Sequence, residues 1–278
     1  MEIVIRSDKG GLLSLISHES NDISWLKERL FALLNGKEGI PVKSSHFATV
    51  LKFEDHKTGE VYYFKEFHNR GIKDKLMKII GLTRSVKAYK AGRMLLQKGF
   101  RTPIPVALGL EKAFSFIKRN FLVTKEAPGE RAHEYFQKRY QPPLSGKMIV
   151  EKRDLLAAAG HEIGRLHNTG IFHGDLRLGN IIINGQGVSA GFFLLDNERT
   201  LYCRSLSGRR RLKNLVQLNM TLLLQITRTD RLRFLNAYIE ENPALLPDKK
   251  DLIASITRIM RKRINRRLSG KKCRSEYS

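Results

Sequence analysis

A chain of 278 residues, 41% of them hydrophobic, holds enough apolar material for one large or two small lobes around real cores, which excludes wholesale disorder. The 51 Lys and Arg against 27 Asp and Glu give a formal charge of +24, an excess that draws the chain toward polyanions such as nucleic acid, anionic lipid or acidic glycolipid. Two cysteines, Cys203 and Cys273, exclude a disulfide framework, and no run approaches the roughly 20 apolar residues of a membrane span or resembles a signal peptide, so a cytoplasmic protein is expected.

The first 40 residues read as an N-terminal extension. A short strand at Ile3-Val4-Ile5 precedes a helix capped by Asn21 or Asp22, with Ile23, Leu26, Leu30, Leu33 and Leu34 on one face and Trp25 nearby. From residue 41 the pattern becomes β: His46 to Phe53, a turn containing Thr58-Gly59, then Val61 to Phe67. Lys65 stands in the second of these strands. It reads either as a solvated strand residue or as an ammonium that pairs with nucleotide phosphates, and its place upstream of the acidic loop described below favours the latter. No G-x-G-x-x-G precedes it, so Val42-Lys43-Ser44-Ser45-His46 is expected to line the phosphates through backbone N–H groups and the side chains of Ser44 and Ser45.

Residues 68–82 are Lys-rich, with Ile72, Leu76, Ile79 and Ile80 at helical spacing, a basic amphipathic helix facing either a membrane or its own core. A helix over 84–98 follows, then the extended Thr102-Pro103-Ile104-Pro105 and a strand. Phe121 to Thr124 runs as a strand into Ala127-Pro128-Gly129. This reads as the hinge between two lobes, with adenine expected against the chain from Lys125 to Ala127 and Glu126 as its contact. Residues 151–168 form a helix, and His161, His167 and His173 are read as structural. Leu215 to Ile226 is expected as a buried helix. The last helix, 250–268, puts Leu252, Ile256, Ile259 and Ile264 opposite Arg258, Arg261 and Lys262, and lies either on an anionic membrane or on the core. A disordered basic tail, 269–278, is expected to close the chain.

The most restrictive stretch is His173-Gly174-Asp175-Leu176-Arg177-Leu178-Gly179-Asn180, an H-x-D with Asn five places after the Asp, running into Ile181-Ile182-Ile183. A turn at Asn184-Gly185-Gln186-Gly187 and a second run, Phe192-Phe193-Leu194-Leu195, end at Asp196. That order matches the catalytic loop of protein-kinase-like phosphotransferases and is expected to bring Asp175, Asn180 and Asp196 to one end of a small sheet. Phosphoryl transfer is mostly positioning and charge neutralisation. Asp175 would orient the acceptor hydroxyl and take its proton, Arg177 would reach the transferred phosphate, and Asn180 and Asp196 would hold Mg²⁺, which prefers oxygen ligands. His173 braces the loop.

With these residues in place, the sequence resembles the heptose and Kdo kinases of the lipopolysaccharide core over residues 42–240. The matching stretches are Tyr62-Tyr63-Phe64-Lys65, Gly99 to Pro105, the hinge, Leu166 to Leu176, Leu195-Asp196-Asn197-Glu198-Arg199, and Arg233-Phe234-Leu235-Asn236-Ala237-Tyr238. The resemblance implies an α+β, two-lobed protein-kinase-like fold, with the small β-rich lobe over 41–126 and the mostly helical lobe over 127–268. It also implies ATP and Mg²⁺ as cofactors, and a lipopolysaccharide core or lipid A acceptor phosphorylated at a sugar hydroxyl on the inner face of the inner membrane. An anionic membrane surface fits the charge, nucleic acid does not enter, and the oligomeric state is left open. The alternatives are another small-molecule kinase of the same fold, or a catalytically weak kinase-like protein that binds membranes. Two departures stand out. The helix after Lys65, Ser85 to Arg93, carries no Glu to hold that lysine, so Asp74 or Glu28 is expected to do so; and Asn214 stands where relatives often carry Asp.

Overall fold

Val61–Phe67 alternates, with Tyr62, Phe64 and Phe67 buried and Val61, Tyr63 and Lys65 half-buried, the period of a strand covered unequally on its two faces. In the computed structural model, which describes residues 2–6, 12–16, 24–113 and 116–275, this strand lies inside a seven-stranded antiparallel sheet. Its members are β1 (Glu2–Arg6), β2 (Leu12–Ile16), β3 (Ile40–Ser45), β4 (Ala48–Glu54), β5 (Val61–Phe67), β6 (Pro105–Ala113) and β7 (Phe116–Lys125), in the order β1-β2-β6-β7-β5-β4-β3. Leu12–Ile16 reads weakly as a strand on its own, but its Leu13 and Leu15 are buried, and it pairs with β6 from Leu12↔Lys112 to Ile16↔Leu108.

Helices cover both faces of the sheet. On one, α1 (Ser24–Leu34) buries Leu26, Leu30 and Leu33 against Phe53, Tyr62 and Phe64, and Trp25 lies 5.0 Å from the Tyr62 ring centroid. On the other, α3 (Arg84–Gln97) sets Val86, Ala88 and Tyr89 against Phe67, Leu108 and Leu122. Thr83 Oγ1 accepts from Val86 N and starts α3 as its N-cap. Between β5 and α3 lies the short α2 (Ile72–Ile79). The Asn21 or Asp22 cap expected for α1 lies outside the described residues.

The chain divides into two compact units, Met1–Ala127 with Asp196–Arg199, and Pro128–Leu195 with Thr200–Ser278. The second comprises β8 (Glu130–Arg131), α4 (Ala132–Arg139), α5 (Gly146–Asn168), β9 (Ile171–Phe172), β10 (Ile181–Asn184), β11 (Gly191–Leu194), β12 (Leu201–Tyr202), α6 (Gly208–Asn219), α7 (Arg228–Glu240) and α8 (Lys249–Ser275). Its frame is α5 against α7, which approach so closely that a Cβ on Gly160 would meet Phe234 O at 2.4 Å. Lys152 and Asp230 join the same pair through an ion pair of 2.6 Å, both side chains nearly fully buried.

Three expected boundaries move. α5 begins at Gly146, ahead of the expected 151, because Ser145 Oγ accepts from Met148 N and caps a polar first turn. The expected buried helix Leu215–Ile226 is α6 over Gly208–Asn219. Its start is the Arg-rich run that reads as loop, and beyond its end Leu224 is 94% exposed. Asn219 Oδ1 accepts from Arg231 Nη1 at 2.7 Å, which ties the helix end to α7. α8 continues to Ser275, so helix replaces the tail expected from 269, except at 276–278, outside the described residues. α8 lies against α6, and of its apolar stripe Ile256 is buried while Leu252, Ile259 and Ile264 are half-buried.

Candidate active site

The predicted site residues fall into two clusters, one in each unit. In the second unit the loop from His173 to Asn180 leaves the β9–β12 ribbon, whose register, Phe172↔Leu201, is set beside Gly170. Gly170 has φ +81°, and a Cβ there would stand 1.9 Å from Cys203 O, so only glycine fits the crossing. Leu176 is fully buried and plugs the loop into the unit. The loop's acid is then caged by its own neighbours. Arg177 Nε donates to Asp175 Oδ1 at 2.6 Å, and Asn180 Nδ2 donates to Asp175 O at 2.9 Å and to Asp175 Oδ2 at 3.2 Å. Leu195 N donates to Asn180 O at 2.9 Å, closing the β10–β11 hairpin at the end where the chain passes on to Asp196.

Under the loop lies a buried polar relay that the sequence did not announce. Asn214, fully buried on α6, accepts at Oδ1 from His173 N at 3.2 Å and lies 3.1 Å from His167 Nε2. Its Nδ2 donates to Gln217 Oε1 at 2.8 Å; Gln217 in turn accepts from Leu176 N and donates to Gly174 O. Arg211 Nη1 donates to Tyr238 Oη, so the tyrosine proton points to His167 Nδ1 at 2.9 Å, and His167 is neutral with its proton on Nε2. An amide at 214 therefore does what the sequence flagged as a departure: it accepts from two donors and donates once, where a carboxylate would bring an unpaired charge to a buried site. His161, by contrast, bonds Glu241, the residue that follows α7, and His173 Nε2 bonds Leu195 O, so all three histidines have structural partners.

Burial holds His167 down at about 3, with Arg211 adding to the effect. The folded chain keeps this group neutral where the unfolded chain protonates it near pH 6.5. Stability is therefore full above that pH and falls as the pH drops toward 3, by at most about 1.4 kcal/mol per unit. Urea midpoints at pH 7 and pH 5 are expected to differ in this direction, and less so in His167→Gln. Identical slopes in the two proteins would remove His167 as the source. Asp230 and Glu151 are also held below their ordinary range, the first by Lys152 and Thr227 against the opposing effect of burial, the second by Arg139; both act at lower pH, outside this window.

The first unit holds the other cluster. Lys65, on β5, forms an ion pair with Asp196, and its ammonium sits 5.0 Å from the Phe67 ring centroid. Asp196 is the one described non-glycine residue at positive φ, +57°, a strained conformation that surrounding structure must hold in place. Three ties do so: Lys65 on Asp196, Thr102 Oγ1 accepting from Asn197 Nδ2 at 2.7 Å, and Arg84 on Glu198. Arg84, the first residue of α3, donates from Nη2 to Glu198 Oε2 at 2.8 Å and to Oε1 at 3.0 Å, and Arg70 adds a further contact of 3.0 Å.

This arrangement corrects the expected partner of Lys65. Asp74 instead accepts from Arg70 N at 2.9 Å, at the start of α2, and the side chain of Glu28 lies outside the described residues. The acid comes from 131 positions downstream, while α3 contributes a cation in place of an acid. The remaining candidates sit on sheet edges and strand ends. Ser45 Oγ accepts from Phe47 N and Ala48 N and so shapes its own β3–β4 turn; Ser44 is exposed opposite Thr49. Glu126 Oε1 takes Lys52 Nζ at 2.9 Å and Tyr63 Oη at 3.0 Å, and its N–H donates to Val61 O.

A family model described as the lipopolysaccharide kinase (Kdo/WaaP) family matches residues 36–238, a span that contains both clusters. A search of curated proteins by sequence finds no match. Among solved structures, WaaP in complex with acyl carrier protein is similar with a TM-score of 0.64 and 23% sequence identity, covering 89% of this chain and 98% of that one. The likeness is one of fold, α+β and protein-kinase-like, as expected from the loop motif.

Proposed function

This chain belongs to the lipopolysaccharide kinase (Kdo/WaaP) family, and we propose that it transfers the γ-phosphoryl group of ATP to a heptose or Kdo hydroxyl of the lipopolysaccharide inner core. The kinase activity goes with the family. The choice of acceptor is our reading, supported by the +24 charge, which suits a phosphate-rich glycolipid.

The observation that carries the assignment of roles is the state of the two acids. Asp175 is presented on a buried, hydrogen-bonded loop with both oxygens oriented, and Asp196 is held at a strained backbone position by a lysine from the sheet. The donor set fits a hard cation. Asn180 commits Nδ2 to Asp175, which leaves Oδ1 as the oxygen it would offer a metal, and Asp196 already attracts one cation. Bound ATP with Mg²⁺ supplies the phosphoryl group and neutralises its charge. In our reading Asp175 orients the acceptor hydroxyl and receives its proton, while Arg177 exchanges the Asp175 carboxylate for the transferred phosphate. Lys65 pairs with phosphate oxygens, and Asn180 and Asp196 hold the metal. Ser44 and the Ser45 turn flank the phosphates, and the chain at Glu126 meets the base.

Among the described residues no helix is long and apolar enough to cross a membrane. We place the chain on the cytoplasmic side, peripheral to the inner membrane, where a core acceptor on its lipid anchor is within reach. The structural neighbour is in complex with acyl carrier protein, and we propose a protein of that kind as a second partner to test for this chain. The test is mass spectrometry of purified core oligosaccharide incubated with ATP, Mg²⁺ and the chain. One added phosphate, absent with the Asp175→Ala variant, is expected. ATP turnover without phosphate on the sugar would overturn the acceptor assignment.

A further inference from the structure

Three aliphatic side chains of α2, Ile72, Leu76 and Ile79, and that of Ile80, the residue that ends it, recur at i, i+4, i+7 and i+8, one side of a helix. That side is bare: the four are 77%, 56%, 57% and 61% exposed. A contiguous aliphatic strip of this kind on a soluble unit marks a contact surface. It is not a core face that lost its cover, because α2 packs by its other side. Lys78 Nζ donates to Lys118 O at 3.0 Å, and Met77 and Lys78 line a small cavity with Phe67 and Asn120.

Charge names the occupant. Within IKDKLMKI there are three lysines and one acid, and that acid is already used by Arg70 N. Lys75, next to the strip, is exposed. The geometry points to α2 as the element by which this chain lies on an anionic lipid surface, aliphatic side chains among the acyl chains and the Lys75 ammonium at the headgroups. The rival element, α8, lies against α6 and buries Ile256, and Leu252, Ile259 and Ile264 on it are less exposed than the α2 strip. Gly71 and Gly81, both at positive φ, bound α2 on either side. The inference deepens the proposed function by naming the docking helix. It rests on that reading only for what the membrane carries, and its test needs no phosphoryl transfer.

The full chain is sedimented with vesicles of neutral lipid and with vesicles containing anionic phosphatidylglycerol, at low and high salt. Binding that requires the anionic lipid and weakens with salt is expected. The triple variant Ile72→Ser, Leu76→Ser, Ile79→Ser removes only exposed side chains, and is expected to keep its melting temperature while losing about tenfold or more in vesicle affinity. Lys75→Glu is expected to weaken binding further in low salt than in high. Unchanged pelleting of the triple variant would overturn the assignment. So would loss of pelleting with Arg258→Glu, Arg261→Glu on α8 but not with the α2 variant, or equal binding to neutral vesicles. If the triple variant loses capture by a soluble acidic protein while its vesicle binding stays intact, the strip serves a protein partner and the lipid assignment falls. A chain that pellets through α2 yet phosphorylates no sugar leaves this inference standing and removes the substrate reading alone.

Discussion

Replacing Asp175 with Ala is expected to cut phosphoryl transfer by about 100- to 10,000-fold, the range a positioned general base contributes. Both oxygens of this carboxylate are oriented by the loop itself, Oδ1 by Arg177 and Oδ2 by Asn180. The substitution therefore removes the proton acceptor and also releases the two groups it orients. Asp175→Asn separates these effects, because the amide keeps one oxygen for hydrogen bonding and cannot accept the proton. If proton transfer is the role, Asn and Ala are expected to be similarly inactive. If positioning dominates, Asn retains a substantial part of the rate. ATP binding, followed by calorimetry, is expected to survive both changes, since the nucleotide contacts assigned to Lys65 and Asp196 belong to the other cluster. Turnover at the parent rate in either variant would take the base role away from Asp175.

Glu198→Ala is expected to destabilise the chain by about 3 kcal/mol, within the range for breaking a buried ion pair from one side. The Glu198 side chain is 8% exposed and that of Arg84 12%, so solvent screens the pair little; Arg70, more exposed, counts for less. Removing the carboxylate strands two guanidiniums where one is buried. Arg84 keeps its bonds to Phe47 O and His68 O, which limits the loss. Urea unfolding measures the change, and Glu198→Gln, which keeps the shape and loses the charge, is expected to fall between the parent and the Ala variant. The loss also reaches the nucleotide contacts, because Glu198 is one of the three ties that hold Asp196 at its strained φ. Weaker ATP binding in Glu198→Ala, with Asp196 itself untouched, is the expected signature. A stability change under about 0.5 kcal/mol, the size typical of surface positions, would show that Arg84 and Glu198 do not hold this segment.

That the loop residues proposed for the chemistry lie together was legible because their spacing is constrained locally. Asp175, Arg177 and Asn180 lie within one loop, and the β10–β11 hairpin that follows announces itself by two apolar runs and a glycine turn. Partnerships across long sequence distances were not legible. Nothing local indicates that Lys65 finds Asp196, or that Arg84 at the head of α3 takes Glu198, so a helix without an acid looked like a defect when the charges had only been exchanged between elements. Asn214 misled for a related reason: its fitness depends on the neutral state of His167, which burial sets and sequence does not display. Boundaries failed where capping decided them. Ser145 starts α5 ahead of its apolar pattern, and the basic residues of α6 masked a helix that began before its buried stripe.

The four residues Asp196–Arg199 belong to the first unit, while the chain on either side of them belongs to the second. During synthesis, then, everything up to Ala127 emerges from the ribosome without its last four residues, and must wait while Pro128–Leu195 is made. Until they arrive, Lys65, Arg84 and Thr102 lack their bonds to Asp196, Glu198 and Asn197, and a fragment cut at residue 127 cannot form them. An N-terminal fragment ending at Ala127 therefore lacks part of its own unit, which is complete only once Asp196–Arg199 have been made.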